Sequence, residues 1–170
     1  MEVCQLADAD ATRNLGRTLA LRLLGERAPD QHQILLLQGD LGAGKTCLVQ
    51  GLADGLGISE PITSPTFALA HHYQGKVADR PTALVHLDLY RLEQPPAAAE
   101  LFAQEDEEAR SLGAVLAVEW PERLSFVPEP CWRVELTFAG EERRARVVVS
   151  GAGRAFPCTR NGACAQIPER

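Results

Sequence analysis

The residues from Ile34 to Thr46, ILLLQGDLGAGKT, carry the most specific chemistry in this chain. Gly39 through Gly44-Lys45-Thr46 fits G-x-x-x-x-G-K-[ST], the spacing of a phosphate-binding loop. A polyphosphate needs several backbone N–H groups converging on it, and a Cβ in the wrong place blocks that approach. Gly39, Gly42 and Gly44 can take positive φ at little steric cost. Together with Asp40, Leu41 and Ala43 they are the expected cradle. The helix that follows would aim its unpaired N–H groups and positive dipole end at the phosphates. Lys45 is expected to reach the β- and γ-phosphates and the Thr46 hydroxyl to hold Mg²⁺. The ligand this pattern names is a nucleoside triphosphate with magnesium.

Such a site also needs an acidic group near the metal and a group that orients the attacking water. Asp88 and Glu119 each end an apolar run and are the two candidates. Either could hold the metal and either could handle the water. Thr63-Ser64-Pro65-Thr66-Phe67 follows the helix after the phosphate loop. A hydroxyl there, Thr66 above all, could bond the metal or the γ-phosphate only while the latter is present, coupling hydrolysis to loop order. His86 lies inside an apolar run and reads as a hydrogen-bonded sheet residue. His71 and His72 read as surface residues. Trp120 could pack near the nucleotide or seal the sheet edge. Arg143, Arg144 and Arg146 could meet phosphate or RNA, although such alternation is more often a solvated strand face.

The elements that must position these residues alternate between β and α. Leu15, Leu19 and Leu23 share one face of a helix over Asp10 to Arg27, with Asp10 as cap and the region around Pro29 as its end. Ile34 to Gln38 is a continuous apolar strand of the kind buried on both faces of a parallel sheet. Lys45 to Leu56 is the helix after the loop, ended by Gly57. A strand over Phe67 to Tyr73 is expected, with Gln74-Gly75-Lys76 as its turn. Thr82 to Asp88 and Ala114 to Glu119 are further buried strands. Pro95-Pro96 breaks the chain before an acidic helix over Ala97 to Arg110, and Pro121 to Phe126 fits a short helix. Trp132 to Phe138 and Arg143 to Val149 read as an antiparallel hairpin. The expected fold is α/β: three layers, a mostly parallel central sheet with helices on both faces, and a C-terminal antiparallel hairpin. Ligands in such sheets bind at the carboxyl ends of the strands, where the loop, Asp88 and Glu119 converge.

At 170 residues the chain has the size of one domain. Residues 1–150 are expected to form it, with 151–170, where periodicity stops, as a flexible tail. The net charge of −6 argues against a protein that grips DNA or RNA by itself, since that needs a basic surface. The five cysteines, Cys4, Cys47, Cys131, Cys158 and Cys164, show no C-x-x-C and no zinc-like spacing with His. They read as reduced thiols of a cytoplasmic protein. The N-terminus has no apolar signal core, and no apolar run approaches the length of a membrane span.

Four motifs occur in order: GDLGAGKT at Gly39 to Thr46, TSPTF at Thr63 to Phe67, HLDLYRL at His86 to Leu92 and VEWPERL at Val118 to Leu124. In that order and spacing they resemble TsaE (YjeE), the small bacterial P-loop ATPase family of tRNA threonylcarbamoyladenosine biosynthesis. The match runs from about Asp8 through the final hairpin. The helix region Pro95 to Gly113 and the tail after Ser150 are not matched. The resemblance implies binding of ATP and Mg²⁺, slow hydrolysis alone, and action with a TsaD–TsaB pair on adenosine 37 of tRNA. ATP hydrolysis would reset that complex between turnovers, and tRNA would be met only indirectly. It further implies that Glu119 is the magnesium-side carboxylate, that Asp88 is catalytic or one step from the metal, and that Thr66 belongs to a switch-like loop. Thr12 matches a threonine near where the base would lie. Other functions remain open to the same loop. A small-molecule or nucleotide kinase would need an acceptor site and an Arg-bearing lid, a poor match to the acidic helix. A GTP switch would need N-K-x-D, which is missing. An ATP-binding structural subunit would lack turnover.

Overall fold

Apolar runs without alternation predict strands buried on both faces, and the sheet shows where each face goes. The structure, a computed structural model, describes residues 2–25 and 32–150. In chain order its elements are β1 (Glu2–Leu6), α1 (Ala9–Gly25), β2 (Gln33–Gln38), α2 (Lys45–Gly55), β3 (Ala70–Val77), β4 (Arg80–Asp88), α3 (Pro95–Leu112), β5 (Val115–Glu119), a 3-10 turn (Pro121–Arg123), β6 (Cys131–Ala139) and β7 (Glu142–Ser150). The strands form one sheet in the order β1-β7-β6-β2-β5-β4-β3. Its centre is parallel: β2 pairs with β5 and β6, and β5 with β4. Antiparallel partners extend both sides, β3 on β4 and β7 then β1 on β6.

Successive residues of β2 enter opposite cores, as a period of two requires. Leu35 and Leu37 join Leu19 and Leu23 of α1 and Leu48 and Leu52 of α2. Ile34 and Leu36 join Ala98, Phe102 and Ala109 of α3. Helices therefore cover both faces, and the three-layer expectation holds. Among the described residues no helix is long and apolar enough to cross a membrane.

Four local expectations are corrected. Asp8, not Asp10, caps α1: its Oδ1 accepts the Ala11 N–H at 2.7 Å, while Asp10 pairs with Arg13 on the surface. The strand expected from Phe67 begins at Ala70 and runs through Gln74-Gly75-Lys76. The turn is instead Ala78-Asp79, both at positive φ, the two-residue geometry that suits strand twist. Gly75 signals close packing rather than a turn, since a Cβ there would meet the Leu56 carbonyl oxygen at 2.6 Å. Pro95 and Pro96 do not precede the helix but begin it, where a missing N–H costs nothing. β1 was not expected, because its five residues are too short to show periodicity and depend on β7 for their hydrogen bonds. The expected end of α1 near Pro29 and the tail 151–170 lie outside the described residues.

α1 crosses α2 closely enough to exclude side chains. A Cβ on Gly51 would sit inside the Arg13 backbone, 2.6 Å from its carbonyl carbon, and one on Gly16 would sit 2.6 Å from Leu52 N. This contact brings α2, which carries Lys45 and Thr46, close against α1, which carries Thr12.

Candidate functional site

The loop from Gly39 to Gly44 links the carboxyl end of β2 to the first turn of α2. Its glycines take positive φ, with Gly39 at 143°, Gly42 at 79° and Gly44 at 106°. Gly44 stands at the helix start with no side-chain cap. The first N–H groups of α2 therefore face the space that an anion would fill.

Lys45 is 4% exposed and folds back over its own loop. Its ammonium donates to the carbonyls of Gly39 at 2.7 Å and Asp40 at 3.0 Å. It lies 4.0 Å from the centre of the Trp120 ring. Burial lowers its pKa below the ordinary 10.5, against the pull of Glu119, Glu122, Asp88 and Asp40. Trp120 is held at φ 59°, uncommon for a bulky residue, and its ring meets Tyr90 at 4.9 Å.

Asp88 and Glu119 are register partners at the ends of β4 and β5. Both are nearly buried, at 2% and 3% exposure. Glu119 Oε1 accepts from the Thr46 hydroxyl at 2.9 Å and from His86 Nε2 at 2.8 Å. Asp88 Oδ2 accepts from the Thr66 hydroxyl at 2.6 Å, and Asp88 Oδ1 from the Tyr90 N–H at 2.9 Å. Ser64 adds a hydroxyl 2.7 Å from Thr66 Oγ1. One carboxylate is thus tied to the helix after the loop, the other to the Thr63–Phe67 segment. The two border a cavity of about 190 Å³ shared with Leu41, Lys45, Thr46 and Trp120.

A second cavity of about 330 Å³ opens on the far side of Gly42 and Gly44. Asp8, Thr12, Cys47, Glu141 and Arg143 line it. Its volume lies at the small end of the usual range for ligand sites, about 300–1,000 Å³. Thr12 is buried, and its hydroxyl donates to Asp8 O at 3.1 Å. Burial raises the Cys47 thiol pKa.

The loop residues, Thr12, Thr66, Asp88 and Glu119 all reach one of these two cavities or the loop between them, whereas Arg144 and Arg146 do not. Others were not legible. Strand alternation splits the arginines: Arg143 stacks on Phe138 at 4.4 Å and faces the second cavity, while Arg144 and Arg146 are exposed and Arg146 pairs with Glu135. The period of two could have separated them. His72 joins Glu105 of α3 and His71 joins Tyr73, both away from the loop. His86 is hydrogen-bonded, as its strand position suggests, but its partner is Glu119. Ser64 belongs to the Thr63–Phe67 segment the sequence marks, but Glu141 carried no spacing signal.

A parallel sheet that delivers a glycine-rich loop and two strand-end carboxylates to one edge is the P-loop NTPase fold. Residues 6–147 match the family described as threonylcarbamoyl adenosine biosynthesis protein TsaE. The chain is 43% identical to the tRNA threonylcarbamoyladenosine biosynthesis protein TsaE of Nostoc sp. over 155 residues, 91% of this chain and 86% of that one. The protein of the same name from Treponema pallidum is 39% identical, with 83% and 95% covered. The crystal structure of Bacillus subtilis YdiB superposes with a TM-score of 0.64 at 26% identity, covering 88% of this chain and 86% of that one. The chain belongs to the TsaE family.

Proposed function

We propose that this protein binds ATP with Mg²⁺, hydrolyses it, and thereby serves the tRNA adenosine-37 threonylcarbamoylation machinery as the subunit that cycles a TsaD–TsaB pair between turnovers. The observation that carries the first part is the bond from Thr46 to Glu119 beside Asp88. It joins a loop hydroxyl to one of two adjacent carboxylates, which is the donor set of a magnesium nucleotide site. Among the described residues no group of three or more His, Cys, Asp and Glu could hold a metal alone. That fits Mg²⁺, which is bound through one or two carboxylates together with substrate phosphates.

Thr46 and Glu119 would hold the ion, with Asp88 beside them. Bound Mg²⁺ supplies neutralisation of charge on the β- and γ-phosphate oxygens. Lys45 leaves the Gly39 and Asp40 carbonyls and donates to those oxygens instead, exchanging two internal bonds for charge-assisted ones. Gly39, Asp40, Leu41, Gly42, Ala43 and Gly44 present backbone N–H groups to the phosphates. Asp88 would orient the water, and Thr66, which donates to Asp88, would sense the γ-phosphate by donating to it instead. Thr12 lines the 330 Å³ cavity, where the nucleoside would lie. The family membership supports the tRNA-modification role.

The test is ATP turnover by the purified chain, alone and with its cognate TsaD–TsaB pair. Faster turnover and co-elution are expected with the pair. Turnover that the pair leaves unchanged, with no co-elution, would remove the partner role. No binding of ATP by wild-type protein would remove the whole proposal.

A further inference from the structure

His86 lies two residues before the carboxyl end of β4 and has no exposed surface. Its register partner on β5 is Ala117, two residues before Glu119 on the same face. The ring therefore reaches diagonally across the strands to Glu119. Nε2 lies 2.8 Å from Glu119 Oε1. A carboxylate only accepts, so the proton resides on Nε2. Nδ1, the other ring nitrogen, is buried with no hydrogen-bond partner among the described residues. An apolar side chain would fill the same space between Leu84 and Ala117 without an orphaned nitrogen. Packing alone therefore disfavours histidine here, and the bond to Glu119 is what the imidazole contributes.

That bond falls on the oxygen that also accepts from Thr46. Two donors, one from α2 and one from β4, meet on Oε1, and neither uses Oε2. The carboxylate is clamped about one oxygen. Without His86 it would keep one bond to a hydroxyl that must itself serve the ligand.

We infer that His86 is a positioning residue: it holds Glu119 in the orientation that lets Thr46 and Glu119 receive a divalent cation carried by a nucleotide. This rests on the ATP–Mg²⁺ reading of the site. The groups that hold a metal's own ligands commonly affect its affinity on the order of 10–100-fold.

The test is binding of a fluorescent, non-hydrolysable ATP analogue, titrated once with Mg²⁺ and once with EDTA. The measured quantity is the ratio of the two affinities. In His86→Leu the ratio should fall on the order of 10-fold, with the EDTA affinity unchanged. His86→Gln should keep most of the wild-type ratio, because its amide nitrogen reaches the depth of Nε2. His86→Asn is too short and should behave like the leucine variant. Should leucine prevent folding, the glutamine–asparagine pair decides. A folded leucine variant with the wild-type ratio, or Gln and Asn variants with equal ratios, overturns the inference alone. A wild-type ratio of one overturns the magnesium reading beneath it.

Discussion

The glycine contact between α1 and α2 is the feature on which the site's geometry depends most directly, and Gly51→Ala perturbs it with a single methyl. In the native backbone that methyl would lie 2.6 Å from both the carbonyl carbon and the Cα of Arg13, where ordinary contact begins at 3.4 Å. The Arg13 carbonyl oxygen lies closer still, so the helices must move apart, and no flexible side chain is available to yield. Overpacking of this kind costs about 3 kcal/mol at the upper end of the usual range. Alanine returns about 1 kcal/mol of helix propensity. The net loss is about 2 kcal/mol, or roughly 4–8 °C in Tm for a chain of this size. The separation also moves Lys45 and Thr46, on α2, away from Thr12, on α1. Thermal denaturation of Gly51→Ala beside Gly25→Ala supplies the measurement, because a Cβ on Gly25 meets nothing within 4 Å. Gly25→Ala should melt at or above the wild-type temperature. If both variants melt together, the close crossing does not hold the helix in place.

Three further outcomes follow from the site. Lys45→Met should abolish nucleotide binding while leaving the chain folded. Because burial lowers the Lys45 pKa below 10.5, the unfolded chain binds that proton more readily. Stability of nucleotide-free wild type should therefore rise with pH between the lowered value and 10.5, and the variant should lose that part of the slope in denaturant titrations across that range. Asp88→Asn should lower ATP turnover at least 100-fold, an effect typical of catalytic proton-handling and positioning groups at roughly 10²–10⁴, with nucleotide affinity nearly unchanged; turnover near wild type would take Asp88 out of the chemistry. Cys47 lines the cavity assigned to the nucleoside and has a raised pKa from burial. Its alkylation, followed by mass spectrometry, should be slow and should slow further with bound nucleotide, whereas equal rates would move the base elsewhere.

The sequence by itself determined the parts whose signal is local. A loop that must admit phosphate needs glycines at fixed offsets, so Gly39 to Thr46 could be read directly. Apolar runs ending in carboxylates marked β4 and β5, because strands buried on both faces leave no other pattern. Only the tertiary structure decided which residues meet. Asp88 and Glu119 are 31 positions apart in the chain and become neighbours through the parallel register of two strands. Trp132 to Phe138 reads as half of a hairpin, yet the other edge of that strand lies parallel against β2. That pairing is non-local, and no spacing reports it. Strand alternation sent Arg143 to the second cavity and its neighbours to solvent. At Gly51, inside α2, only the approach of a second helix makes glycine a requirement. His86 reads as one more sheet residue until Glu119 arrives from the next strand. The local steric demands of a phosphate loop are written in consecutive residues; the grip on its carboxylates depends on register, which exists only once the sheet has formed.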